Sequence, residues 1–283
     1  MNEERHDDRA HWGPEHMRMR EARAEARRTA REFRHELRHQ LGGATFNVDL
    51  GPRESGEEHE ERLERTFVVR GTPSLRVSNV SGDTRIVVGQ AGAVVVRARK
   101  YVRGASADKA KRLLESLEIR MEQDGDTIVV QPHLDEQERS WRDLCRGRSV
   151  AVDFEIAVPR ETALDARSTS GDLHVTGVCG PLHLHNVSGD TLLSGLRGPL
   201  RLRTVSGDVR AVDCAGLCEC NSVSGDLRLE GSRFQAADIQ TVSGDVALDG
   251  ALDPAAAHRV RTVSGDVALA VVGASFRVDF WTM

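Results

Sequence analysis

SGDLHVTGVCGPLHLHNV (170–187), SGDTLLSGLRGPLRLRTV (188–205) and SGDVRAVDCAGLCECNSV (206–223) follow one another in the chain and align without a gap. The tripeptide that opens each of them also begins at Ser81, Ser224, Ser243 and Ser264, and from Ser170 onward the steps are 18, 18, 18, 19 and 21 residues. A fixed period of this size identifies stacked repeats. Each copy holds two runs of alternating apolar and polar residues separated by Gly-containing corners, which predicts two short strands per coil. Leu173, Val175, Leu182, Leu184 and Val187 are expected to face inward, and His174, His183 and His185 to face solvent. The same inward columns recur as Val209, Ala211, Cys218, Cys220 and Val223. One such coil cannot bury its apolar side alone, but copies stacked about 4.8 Å apart pair strand on strand and build a continuous core. The predicted fold is all-β: a parallel β-solenoid of 18–21-residue coils, right-handed by the general preference of parallel crossovers, with an N-terminal α-helix.

The composition of the corners has a physical basis. Gly takes positive φ without penalty, while Ser and Asp bond nearby backbone groups. At the second corner Gly180-Pro181 and Gly198-Pro199 stop one strand before the next, because Pro fixes φ. The two longer steps are expected to bulge around Asp253-Pro254 and near Ser232, since insertions in solenoids map to loops.

Outside the regular coils of 170–283, three segments differ in character. Residues 66–169 are predicted as irregular coils of the same solenoid, with strand-like runs in AVVVRARKYV, LEIRMEQ, DTIVVQPHL and SVAVDFEIAVP. They also hold a short helix from Ser106 to Leu117 with Ala110, Leu113, Leu114 and Leu117 on one side, and a hairpin turn at Asp124-Gly125-Asp126. Asp135 to Arg148 is charged and reads as a loop anchored by Trp141, Leu144 and Cys145. Residues 46–65 read as an acidic, mobile linker. Residues 1–45 contain an Arg/Glu/Ala-rich helix from about Glu15 to Leu41, ended by Gly42-Gly43, with Met19, Ala22, Ala26, Ala30, Phe33, Leu37 and Leu41 as its stripe.

The repeats SNVSGDTRI, STSGDLHV, TVSGDVRAV, SVSGDLRL and TVSGDVAL resemble a bacterial β-strand-repeat family of unknown function that carries the label "putative adhesin". The resemblance runs from about Thr66 to the C-terminus. It implies a β-solenoid and an envelope-stress or surface-related setting, and it brings no catalytic residues to transfer.

A net charge of -5 over 283 residues favours neither nucleic acid nor a strongly cationic partner, and the basic-aromatic interleaving of single-strand binders is missing. Residues 1–20 hold no apolar run and no stretch approaches the roughly eighteen apolar residues of a membrane span. Together with five cysteines in no disulfide-like framework, this predicts a cytoplasmic protein.

Four features suggest chemistry, and each has a plainer explanation. The column Asp172, Asp190, Asp208, Asp226, Asp245 and Asp266 could bind cations or act as acid and base. Like charges one layer apart repel by about 1 kcal/mol even in water, which favours a column in which each Asp caps its own corner through backbone N–H groups. Cys214, Cys218 and Cys220 look like a metal cluster but align over Val178 or Leu196, Leu182 or Leu200, and Leu184 or Leu202, which are core columns. Cys179 falls at a corner and is expected to be the more exposed thiol. His174, His183 and His185 could hold zinc, or could continue through Arg201, Arg203, Arg210 and Arg228 as a solvated basic ledge. The N-terminal stripe could cap the solenoid, drive self-association, or lie on a membrane surface, although its many alanines make the apolar face shallow. No catalytic residue, cofactor or metal ligand is assigned. The function that follows is a non-enzymatic structural or interaction scaffold, self-associating through the N-terminal helix or a solenoid end. Its competitor is a carbohydrate-directed protein or enzyme using a lateral groove.

Overall fold

The structure, a computed structural model, describes residues 58–134 and 149–272, all within the unit Ala44–Met283. Alternation along the chain produces two faces. On the entry face β2 (Ser74–Ser81), β8 (Ala163–Ser170), β10 (Leu182–Ser188), β12 (Leu200–Ser206) and β14 (Ala215–Ser224) run parallel into the Ser-Gly-Asp corners. On the exit face β3 (Thr84–Val88), β9 (Leu173–Thr176), β11 (Thr191–Ser194) and β13 (Val209–Val212) run parallel away from them. The long β15 (Leu227–Gln240) pairs with β13 on the exit face and then with β14 on the entry face. Above it β16 (Val246–Leu252), β17 (Arg259–Arg261) and β18 (Val267–Val272) continue the stack. The chain is thus a parallel β-solenoid. The register is in phase with the repeat: Leu182 pairs with Leu200 and Leu200 with Cys218.

The core lies between the faces. Leu173, Val175, Leu182, Leu184, Val209, Ala211, Cys218 and Cys220 are all buried, as the alternation predicts. Val187 is a correction, because the buried residue there is its neighbour Asn186 and Val187 is only half-buried. Alternation runs on unbroken through 182, 184 and 186. The Asn186 amide is accommodated because its Nδ2 donates to Gly189 O (3.0 Å) and Thr191 Oγ1 (3.3 Å), tying the strand end to its own corner. Asn79 does the same two coils away, beyond Ser168 of β8, donating to Gly82 O (2.9 Å) and Thr84 Oγ1 (3.3 Å).

Glycine at the corner is demanded twice over. Gly207 has φ 123, and a Cβ built on it would lie 2.1 Å from the Gly189 carbonyl oxygen in the neighbouring coil. The corner backbones stack too closely for any side chain. The 19-residue step places its surplus at Gln235, because Gly216 pairs with Phe234 and Leu217 with Ala236. Ser232 itself is buried, and its neighbour Arg233 is in register with the coil below, but toward the coil above the register of β15 with β16 shifts between Leu229 and Ser232, close to where the bulge is expected. The 21-residue step loops out after β16 at Asp253-Pro254, as anticipated.

The 89-residue step between Ser81 and Ser170 departs from the expected run of irregular coils. Ser81 pairs directly with Ser170, so the step adds no layer between them. β6 (Thr127–Leu134) and β7 (Ser149–Val158) do form a coil, parallel to β2 and β3, but on the far side of that pair. Stack order therefore differs from chain order. The other strands are not coils at all. β4 (Ala93–Arg103) is antiparallel to β7 and to β1 (His59–Val68), and β5 (Leu117–Asp124) is antiparallel to β6 across the predicted Asp124-Gly125-Asp126 turn. A tight turn returns the chain antiparallel, whereas parallel pairing needs a crossover. β1 also corrects the linker, which was expected to reach residue 65. HEERLERTFV is polar because its carboxylates are used in ion pairs with β4, including Arg97–Glu64 and Lys100–Glu61.

Between β4 and β5 lies α1 (Ala107–Ser116), with Ala110, Leu113 and Leu114 buried as its spacing predicts, against β4, β1 and β5. It plugs this end of the core. Lys100, inward-facing on β4 and buried, donates to the carbonyls of Leu114 (2.9 Å) and Leu117 (3.1 Å) at the helix C-terminus and pairs with Glu61 of β1 (2.8 Å). A cation there satisfies the orphan carbonyls and the negative end of the helix dipole. Side chains also join the edges of β1 and β5, as Gln123 Nε2 donates to Val68 O (2.8 Å). The helix read over 15–41, the loop 135–148 and the C-terminal residues 273–283 lie outside the described residues.

Candidate functional site

The aspartate column is a relay. Asp172 Oδ1 accepts the Asp190 N–H (2.8 Å), Asp190 Oδ1 the Asp208 N–H (2.9 Å), and Asp208 Oδ1 the Asp226 N–H (2.9 Å). The relay continues through Asp245 to Asp266 (3.0 and 2.8 Å) and backward through Asp83 to Asp153 (2.9 and 3.0 Å). Each carboxylate therefore caps the corner of the next coil rather than its own, because the tight Gly turn aims the side chain along the stack. Charge–dipole bonds to amides offset the mutual repulsion of the row. Asp153 was missed in the sequence because Ala151-Val152 stand where Ser-Gly would be. The following Phe154, Ile156 and Val158, all buried, are the signal that could have found it.

The thiols are core residues. Cys214, Cys218 and Cys220 are buried and free, in register with leucine columns. Burial raises all three thiol pKa values, Cys220 to about 12, so they stand as neutral thiols. Cys179 is the more exposed one, its Sγ 3.2 Å from Arg160 Nε. Cys145 lies outside the described residues.

The histidines are not brought together. His174 is on the exit face, with Nδ1 3.3 Å from an Arg85 nitrogen. His183 and His185 are on the entry face, in register with Arg201 and Arg203. His185 is half-buried, and burial, reinforced by the Arg167 charge, lowers its pKa to about 4, leaving it neutral. Among the described residues no group of three or more His, Cys, Asp or Glu is placed to hold a metal ion. The expected basic ledge is a charge mosaic instead, since Arg201 pairs with Glu219, Arg210 with Glu230 and Arg228 with Asp226, each at 2.8 Å.

A recess lies on the outer exit face, a groove of about 730 Å³ across β1, β4, β7, β3 and β9. It is lined by Arg62, Arg85, Arg97 and Arg99, by Glu64, Asp83, Asp153 and Glu155, and by His174. Adjacent strands carry opposite charges face to face, because Arg97 is opposite Glu64 and Glu155, and Arg99 opposite Asp153. Arg99 meets Asp153 at 2.8 Å, an ion pair that raises its pKa further. Tyr101, two residues on, has guanidinium carbons of Arg99 and Arg103 each 4.8 Å from its ring centroid. These groove residues were legible only as outward positions in AVVVRARKYV; their convergence depends on β4 turning back antiparallel. A smaller depression of about 430 Å³ lies on the entry face around His183, Arg201, Leu217, Glu219, Asp238 and His258.

No curated protein matches the chain. Among solved structures, a putative cell adhesion protein from Clostridium sporogenes ATCC 15579 is similar at 10% identity and a TM-score of 0.40, covering 75% of this chain and 97% of that one. A putative adhesin from Bacteroides fragilis NCTC 9343 is similar at 15% identity and a TM-score of 0.37, covering 76% and 95%. Scores of that size carry no weight for function. The model of the family described as Toastrack DUF4097 matches residues 72–269, from just before β2 into β18, and the chain belongs to that family.

Proposed function

We propose that the protein is a non-enzymatic interaction scaffold whose stiff, charge-patterned faces meet another protein, in the first instance a second copy of itself. The aspartate relay carries this reading. Among the described residues, the array that resembles catalytic or cation-binding carboxylates has an oxygen of every member from Asp153 to Asp245 committed to an amide of the next coil, which makes it a rivet line along a rod. What remains for contact is the alternating charge of the outer faces, a pattern suited to orientation and partner choice rather than to bulk affinity. Because α1 fills the capping role at one end of the solenoid, association is the role we assign to the Arg/Glu/Ala segment of residues 15–41. A dimer is the simplest closed form.

The carbohydrate-directed alternative ranks behind it. Sugar recognition needs an open aromatic face, and the Tyr101 ring beside the groove is already flanked by two guanidinium groups. Light scattering of the full chain over a wide concentration range tests the proposal, with a dimer that dissociates on deletion of residues 1–45 as the expected result. A strict monomer at every concentration overturns the association. A neutral polysaccharide that protects the groove residues from exchange would move the function to the alternative.

A further inference from the structure

The 21-residue step between Ser243 and Ser264 carries more chain than a regular coil, and the surplus lies between β16 and β17. This loop docks on the stack in an unusual way. Just past the end of β15 a main-chain amide is received by a carbonyl of the next coil, Thr241 N–H by Arg261 O (2.9 Å). At Ala237 the amide is received by a side chain instead, with His258 Nδ1 at 3.2 Å. The other ring nitrogen, Nε2, lies 2.8 Å from the Asp253 carbonyl oxygen. An amide N–H can only donate and a carbonyl can only accept, so the two partners together require a neutral imidazole with its proton on Nε2. Asp253 is tied down in turn: its N–H donates to Phe234 O (3.1 Å), and its Oδ1 accepts the Ala255 N–H (2.9 Å). His258 thus closes a ring of main-chain bonds that runs from β15 into the loop and back.

We propose that His258 is a proton-operated latch, whose protonation frees residues 253–258 from β15 and reshapes the entry-face depression that Ala257 and His258 help to line. A proton on Nδ1 would point at the Ala237 N–H, turning an acceptor into a second donor. The bond is lost and two positive dipoles oppose each other. The charged groups facing the ring are already engaged. Asp238 of β15 pairs with Arg259 of β17 at 3.6 Å, and Glu219 of β14 pairs with Arg201 of β12 at 2.8 Å. His183 of β10 lines the opposite side of the depression, and Asp253 holds the Ala255 amide. None of these gives the imidazolium what Ala237 withdraws. Docking requires the neutral ring and release does not, so acidification favours release. Leu217, half exposed in the same depression, would then lose the neighbouring wall formed by Ala257.

Amide hydrogen exchange on the full-length protein at about pH 7.5 and about pH 5, corrected for intrinsic rates, tests the latch. Protection at Ala237 and across 253–258 should fall by roughly tenfold or more on acidification, the scale of one lost hydrogen bond, while β10 to β13 keep theirs. His258→Gln, whose amide can accept and donate but does not titrate, should hold its protection at both pH values. Equal protection of the wild-type loop at both, or parallel loss in His258→Gln, overturns the proposal. Should His258→Gln fail to fold, nitrogen NMR of the wild-type ring decides. A bare Nδ1 at neutral pH whose titration coincides with Ala237 exchange supports the latch, and a proton on Nδ1 at neutral pH refutes it.

Discussion

The regular coils from β8 to β13 and the cap formed by β1, β4, α1 and β5 solve the same problem by different means. Each must bury an apolar interior while leaving no strand edge or helix end unsatisfied. The coils do it by repetition. Every strand is paired above and below by its own copy, every corner glycine lies against another, and every corner carboxylate caps the next amide. The cap cannot repeat, because a terminal layer has a neighbour on one side only. It relies on unlike parts: antiparallel strands, a short helix as plug, and a buried lysine that joins helix carbonyls to a strand carboxylate. Repetition makes stability collective along the coils, whereas in the cap it hangs on a few individual side chains.

The largest effect should come from Gly207→Ala, in the middle of the coils. A methyl 2.1 Å from a carbonyl oxygen, at a φ of 123, cannot be relieved without parting two layers. Chemical denaturation should show a loss of more than about 3 kcal/mol. Wild-type stability in that variant would mean that the layers are not stacked glycine on glycine.

Next come Cys218 and Cys220, whose columns hold leucine in the coil before. Changing both to Ser should cost about 2–4 kcal/mol, because two hydroxyls are buried without assured partners. Changing both to Val should cost under about 1.5 kcal/mol. Equal midpoints for the two double variants would remove these thiols from the core.

Lys100→Met examines the cap by itself. The buried carbonyls of Leu114 and Leu117 lose their donor, for a penalty of about 2 kcal/mol. If the cap is as separable as its construction suggests, hydrogen exchange should rise in α1 and β5 and stay unchanged at β10–β13. Uniform loss of protection would instead make cap and coils one cooperative unit.

Asp208 should give the smallest effect and the sharpest contrast with Gly207. Asp208→Asn keeps an oxygen to receive the Asp226 amide and should lie within about 0.5 kcal/mol of wild type, while Asp208→Ala loses the acceptor and should cost about 1 kcal/mol. Added Ca²⁺ should leave the melting temperature of the parent and of Asp208→Asn unchanged, and a calcium-dependent rise confined to the parent would turn the relay into a cation site.

The repeat, the two-strand coil, the inward columns except at Val187, α1 and the Asp124-Gly125-Asp126 turn were legible in the sequence. All of these depend on local periodicity and on backbone chemistry that each residue carries with it: alternation for strands, a 3–4 spacing for the helix, positive φ for Gly. The burial of Cys218 and Cys220 followed too, because register transfers the environment of one coil to the next. What only the tertiary structure decided involves partners far apart in sequence. The coil of β6 and β7 lies outside that of β2 and β3 although it comes later in the chain, since stacking order is set by which edge is open and not by synthesis order. The aspartates bond to the coil after their own because that layer lies only about 4.8 Å away, within reach of a side chain that the corner aims along the stack. The outer groove exists because β4 and β1 return antiparallel and bring Arg97, Arg99 and Glu64 beside Asp153 and Glu155. No window of sequence contains both sides of that surface, and the pairing of distant strands is the physical event that creates it.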